Sequence, residues 1–290
     1  MFPLQLLISG LANGCIYATV ALGAVLIYRA TGVLNFGHGD LFMVGAFFGY
    51  IFRVTFQCSY LVSLLFAMIL AGILGILLDK IVFRPISRYS PIIIVMATVA
   101  VGFALKGFAR LRWGKDFYPF PPILESRPIQ IGNILLIPQD IAVVVVSVVL
   151  MVILFVFFQY ARLGKMMRST SQNQLGATLV GINVKRVFSY TWALGAAVGA
   201  AAGVLIAPIT SLYPDMGGKM MVKAFAAMVV GGFGSIPGAI TGGMLMGVIE
   251  NLVGGYISTS IMDISSFLFI IIILIIKPEG LLGVRTFKKV

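Results

Sequence analysis

Residues 141–158 read IAVVVVSVVLMVILFVFF, a stretch with no charge and a single serine. A helix of that length and composition suits the hydrocarbon of a bilayer and little else. The stretch 267–276, FLFIIIILII, repeats the message with Ile, Leu and Phe alone. Working outward, the whole chain of 290 residues is 60% hydrophobic and only 10% charged. Soluble domains run near a quarter charged, because water must solvate their surface. Here the exterior must face something apolar, and the fold class expected is an all-α, polytopic transmembrane bundle. The ten-residue alternation of an outer-membrane barrel is absent. The 33 glycines follow no period and sit among Ala, Val and Leu, as expected where helix backbones pack closely in lipid.

Apolar runs place spans at about 4–28, 36–52, 60–79, 92–111, 139–160, 187–208, 236–256 and 262–277, with a shorter piece at about 220–233. That makes about 8–9 membrane segments in one transmembrane domain over 1–290, some of them discontinuous. The net charge of +12 would suggest nucleic acid in a soluble protein; here it reads as basic loops on the cytoplasmic side. Lys80, Arg84 and Arg88 mark one such loop, and Arg162, Lys165, Arg168, Lys185 and Arg186 mark the loop at about 161–186. Lys277, Arg285, Lys288 and Lys289 place the C-terminus in the cytoplasm by the same rule. The loop at about 112–138, with Pro119, Pro121, Pro122, Pro128 and Pro138, then falls outside as extended chain, although Arg112, Lys115 and Arg127 weaken the contrast. Parity requires the piece 220–233 to help cross, and 219–236 is read as a discontinuous half-helix with an irregular tip. The same parity puts the N-terminus outside, unless the first break re-enters.

Two glycine-rich interruptions carry the chemistry: TGVLNFGHGD at 31–40 and GGFGSIPG at 231–238. Backbone freed from helical pairing inside a bilayer is tolerated only where protein or a water-filled path satisfies it. Broken helices in both halves of a chain point to a transport pathway; the bland alternative is a pair of tight turns. Asn35, Phe36, Gly37, His38 and Gly39, with Gly231, Gly232, Gly234 and Ser235, are the candidate path residues. His38, the sole histidine, has no second ligand for a metal, and neither Cys15 nor Cys58 belongs to a motif. A local hydrogen-bonding pair with Asp40 is its expected role, with contact to a solute or proton as the sharper alternative. Asp79, Glu250 and Asp263 lie near span ends, where water is expected to solvate them. In the loop 161–186, Leu175, Leu179 and Ile182 recur at spacings of four and three on helix-compatible sequence between Gly164 and Gly181. Such an amphipathic helix could lie on lipid head groups or dock in a partner's groove.

The phrase LNFGHGD at 34–40 followed by MVGA at 43–46 resembles the signature of branched-chain amino-acid ABC permeases of the LivH type. The similarity continues through Phe83-Arg84-Pro85, the loop from Gly164 to Val184, Lys223-Ala224-Phe225, VGGFGS at 230–235, Gly238-Ala239 and PEGLLG at 278–283. This resemblance implies one of two homologous permease subunits of an ATP-driven importer in the bacterial inner membrane. Implied partners are the second permease, two cytoplasmic ATP-binding subunits, an extracytoplasmic binding protein and membrane lipid, with no nucleic acid. The coupling helix on the ATPase would span Arg168, Ser169, Asn173, Leu175, Leu179, Gly181 and Ile182, although residues 169–174 are unusually polar. ATP and magnesium would bind the partners, for the chain has no phosphate-binding glycine loop of its own and carries no catalytic or metal residues. The selecting would fall to the binding protein, leaving a broad, mostly apolar path. A permease for urea, an amide or an aromatic acid, and a passive channel, are the alternatives. An intramembrane enzyme would need paired acids or a zinc motif, and neither is present.

Overall fold

The computed structural model describes residues 2–123, 129–131 and 134–283; Arg127, Pro128, Arg285, Lys288 and Lys289 lie outside the described residues. Its long helices are α1 (Phe2–Thr31), α3 (Tyr60–Leu78), α4 (Pro91–Trp113), α5 (Pro138–Tyr160), α8 (Val184–Thr210), α10 (Ile236–Tyr256) and α11 (Met262–Ile276). Shorter ones intervene: α2 (His38–Tyr50), α6 (Arg162–Gln172), α7 (Gln174–Leu179) and α9 (Met216–Gly231). Among the described residues seven helical segments are long and apolar enough to cross a membrane, and α2 and α9 are too short for that test. Between α4 and α5, residues 129–131 pair antiparallel to 134–136.

The hydrophobic core lies around α1, whose membrane stretch is 89% buried, while those of α4, α5 and α11 are only 17%, 22% and 11% buried. Burial on that scale needs small residues, since lipid tails offer no hydrophobic drive for helix association. Antiparallel α1 and α10 meet through Gly10, Gly14, Gly243 and Gly247; a Cβ on Gly14 would lie 2.8 Å from Met244 Cα, and one on Gly243 2.5 Å from Ala18 Cα. Any larger side chain there would drive the two backbones apart. The peripheral helices present their aliphatic residues outward, as lipid or another subunit requires.

The first interruption is a true helix break. After Thr31 the chain bends, with Gly32 at φ +72°, and turns at 36–37 before α2 starts at His38. Phe36 N–H finds the Thr98 hydroxyl (3.1 Å), seven residues into α4 and therefore about 10 Å along it. The other end of α2 reaches Tyr118 and Phe120 in the loop after α4. Thus α2 begins inside the bundle and occupies only part of its depth.

The second interruption differs from the expectation. Residues 219–236 do not form a discontinuous half-helix: α9 is continuous from Met216 to Gly231 and is followed by a tight turn. At sixteen residues, about 24 Å, it is short for a bilayer, and burial among α1, α2 and α10 replaces contact with lipid. Its last carbonyls do not go unpaired, because Leu281 N–H donates to Val230 O and Leu282 N–H to Gly231 O, each at 2.8 Å. The PEGLLG segment is therefore the cap of α9.

The acids at span ends also differ from the expectation that water solvates them. Glu250 is buried and ion-paired to Lys223 of α9, whose ammonium also reaches Tyr17 Oη of α1 (3.1 Å) and Asp263 of α11 (3.2 Å). Asp79 is buried too, accepting from Arg84 (2.9 Å) and Ser189 (2.6 Å). Only Asp263 keeps an exposed side chain, at 67%. Removing one partner of a buried pair strands the other charge. Lys223→Met should accordingly cost about 3–5 kcal/mol, read as a lower thermal midpoint in detergent. The Lys223→Met, Glu250→Met double variant should regain most of it; equal midpoints for wild type and single variant would contradict the pairing.

Candidate functional site

Residues 32–37 pass from the end of α1 to the start of α2 along α4. Gly37 N–H is satisfied by Asn35 Oδ1 at 3.0 Å, an Asx-type turn that holds the extended strand. Close approach to α4 is possible because neither Gly37 nor Gly102 carries a Cβ; on Gly37 it would lie 2.5 Å from the Thr98 carbonyl, and on Gly102 3.2 Å from Gly37 Cα. At the start of α2, Gly39 lies backbone against backbone on Gly217 at the start of α9.

The five expected residues of this segment point three ways. Asn35 is 4% exposed, its Nδ2 has no hydrogen-bond partner, and it lines a cavity of about 770 Å³ with Asp79, Arg84, Tyr89, Thr98 and Trp192. Phe36 turns the other way and is 41% exposed. His38 is completely buried between α1 and α8, where Gly23 and Gly199 make room for its ring. No regular hydrogen bond reaches either ring nitrogen, and the Val20 carbonyl is the backbone acceptor it faces. The expected His38–Asp40 pair does not form. Residues two apart on a helix do not share a face, and Asp40 turns to Lys106 of α4 instead, 3.9 Å away.

A continuous face emerges between α4 and α9, around Phe36. On one side of Phe36 runs an aromatic row: Phe36 to Phe225 at 6.3 Å, Phe225 to Phe233 at 5.8 Å, and Phe233 edge-on to Tyr28 at 4.9 Å. It leads to the end of the bundle that carries the basic loops. On the other side stand the charges. Lys106 lies 3.9 Å from Asp40 and 3.7 Å from Asp215, and Arg110 donates to both Asp215 oxygens at 2.6 and 2.8 Å. The Arg110 guanidinium holds the Asp215 carboxyl below the usual carboxylate range.

The second interruption serves mainly as structure. Gly231 packs its backbone on Gly238, Gly232 on the tail at Gly280 and Gly283, and Gly234, at φ +77°, rests on the Tyr28 ring. Ser235 Oγ accepts from Gly238 N–H at 3.1 Å and starts α10. Of that turn it is Phe233, not singled out from the sequence, that joins the aromatic row. Lys106, Arg110 and Asp215 are likewise not among the residues expected from the sequence. A lysine in the middle of an apolar run is itself a functional signal, and it was legible.

In the loop 161–186 the expected single helix is two. Asn173 interrupts it and caps α7, its Oδ1 accepting from Gly176 N–H at 2.9 Å. Leu175 and Leu179 stand out at 74% and 80% exposed beside exposed Val180. Ile182, the third member of the expected stripe, packs back on the core after Gly181 reverses the chain at φ +84°. Arg168 is held by Gln159 of α5, Ser169 is half-buried, and Asn173 is exposed.

Comparison with known proteins adds a second line of observation. A family described as the branched-chain amino acid transport system / permease component matches residues 6–277. The high-affinity branched-chain amino acid transport system permease protein LivH of Salmonella typhimurium is 30% identical, over 100% of this chain and 98% of the relative. BraD of Pseudomonas aeruginosa, a permease protein of the same description, is 28% identical over 99% and 98% of the two chains. Among solved structures, PsaBC from Streptococcus pneumoniae in complex with Fab superposes with a TM-score of 0.53 at 16% identity, covering 96% of this chain and 93% of that one. That likeness is one of fold.

The facing directions can be checked with thiols. In a Cys58→Ser background and in detergent, Phe36→Cys and Phe233→Cys should react readily with a polar maleimide. Phe42→Cys, at a fully buried position, should react at least about tenfold more slowly, since local opening of a packed core has a free-energy cost. Similar rates at all three positions would contradict the assignment of Phe36 and Phe233 to an open face.

Proposed function

The chain belongs to the permease family of branched-chain amino acid transport systems, and from that membership we propose that it is a membrane subunit of an ATP-driven importer of branched-chain or other hydrophobic amino acids. The observation that carries the reading is the family match along 6–277, which takes in both interruptions and the loop 161–186. The geometry is consistent with it. An open face lined by aromatic rings suits an apolar solute, and it begins where α2 starts inside the bundle. The alternative of urea, an amide or an aromatic acid is not favoured: LivH and BraD are both permeases of branched-chain amino acid transport systems.

In this reading the subunit rocks against a homologous second permease across the α4–α9 face, exposing the row from Phe36 to Tyr28 alternately to each side. The basic loops and the C-terminal tail lie in the cytoplasm, the membrane is the bacterial inner membrane, and a binding protein delivers the solute from the other side. Two ATP-binding subunits hydrolyse ATP and push on the protruding α6–α7 elbow. The apolar tip formed by Leu175, Leu179 and Val180 is the part that seats in an ATPase groove, since an isolated solvated loop would not expose three such side chains together. Arg168, tied to Gln159, acts as a strut that transmits movement to α5.

Co-expressed with its partner subunits and reconstituted in liposomes, the assembly should take up radiolabelled leucine only with ATP inside and binding protein outside. Uptake by this chain alone without ATP would refute the proposal. Leu175→Asp with Leu179→Asp should weaken attachment of the ATP-binding subunits by about tenfold or more, because losing one buried apolar anchor costs at least about 1.4 kcal/mol. Pull-down of the ATP-binding subunits reads this directly, and unchanged capture would move the docking site elsewhere.

A further inference from the structure

The charges beside Phe36 are arranged in a way that packing alone does not explain. Lys106 Nζ lies 3.9 Å from Asp40 Oδ1 and 3.7 Å from Asp215 Oδ1. Both distances are within ion-pair range and beyond a good hydrogen bond. Asp40 Oδ1 is buried and accepts no hydrogen bond at all. Yet Asp40 and Lys106 keep only 13% and 19% of their side-chain surface exposed. Elsewhere the same molecule closes a buried pair: Arg84 donates to Asp79 at 2.9 Å, with Ser189 added at 2.6 Å. Desolvating a pair while leaving it open forfeits the attraction that would offset the burial. A further polar group entering beside Lys106 would complete it.

We propose that Asp40, Lys106 and Asp215 form a head-group site in the permease itself, which holds the zwitterion of an α-amino acid while its side chain rests on Phe36 and Phe225. The ammonium would donate to the orphaned Asp40 Oδ1 and to Asp215, and the carboxylate would accept from Lys106. Lys106 and Arg110 balance Asp40 and Asp215, so the group carries no net charge and a net-neutral zwitterion adds none. The Phe36 ring, exposed and four residues before Asp40 in the chain, begins the apolar row. An amine without a carboxylate would leave Lys106 facing another cation. A carboxylate without an amine would face two acids. The site therefore rejects one-charge analogues of the same shape, and selection is not left wholly to the external binding protein. The inference rests on the amino-acid transport reading and assigns the residues that recognise the solute's head.

Gly218 supplies a reporter: its surface is open, and a Cβ there would have Lys106 Nζ as its nearest neighbour at 3.9 Å. In the full assembly with Cys58→Ser, a Gly218→Cys thiol is labelled with a maleimide in the presence of leucine, isopentylamine or 4-methylpentanoate. Leucine at about ten times its dissociation constant should slow labelling about tenfold, whereas the amine and the acid at equal concentration should not. Lys106→Met or the isosteric Asp40→Asn should abolish protection by leucine while the thiol stays reactive. Equal protection by all three compounds, no protection by leucine, or full protection in both variants would overturn the head-group site. Wild-type uptake of leucine, measured in the same liposomes, separates the outcomes: its absence sinks the transport reading, while uptake without protection sinks only this site.

Discussion

Backbone amides cannot be left bare inside lipid, and residues 33–37 leave regular helical pairing. Their satisfaction from within the protein is the constraint on which the rest depends. Thr98 and Asn35 provide acceptors for Phe36 and Gly37 N–H, and α4 can come close enough only because Gly37 and Gly102 have no side chains in the way. Once that strand is held, α2 must begin inside the bundle. Its first turn then sets Asp40 against α4, Gly39 against α9 and His38 against α1 and α8. The open face, its aromatic row and its charges all follow from this one break.

Two kinds of polar pairing coexist around it, and their geometry separates their roles. The Lys223 group ties α1, α9, α10 and α11 together and holds the short α9 in a position that lipid contact would not maintain. The Lys223 ammonium meets three partners, as a buried charge must to avoid a large penalty, while Glu250 Oε2 accepts no hydrogen bond. The Lys106 group is open by comparison. Distances of a few tenths of an ångström to one ångström beyond hydrogen bonding are what distinguish a clasp from a receptacle.

Much of this was legible in the sequence. Residues 141–158 announce a membrane helix by composition alone, and GVLNFGHGD announces a break because glycines and a short polar run cannot sustain a buried helix. The GGFGSIPG stretch was equally visible but ambiguous, since glycine marks both an unwound helix and two helices in close contact. Gly231 against Gly238 is the second case. The reading of Glu250 as solvated failed because proximity to a span end says nothing of what neighbouring helices place beside it. Lys106 is legible in another way, since a cation within an apolar run is its own signal.

By itself the sequence determined residence in a membrane, the order and approximate limits of the helices, the location of the breaks and the resemblance to a permease family. These follow from properties that accumulate locally along the chain, hydropathy and backbone freedom above all. Only the tertiary structure decided that Phe36 looks outward while His38 two residues later is sealed in, that residues 216–231 form one unbroken helix, and that Lys223 meets Tyr17 across 206 positions of sequence. Such facts depend on the rotation of each helix about its axis and on which small residues let two backbones touch. Hydropathy is nearly blind to both, because a helix apolar all around has no preferred face until its neighbours give it one.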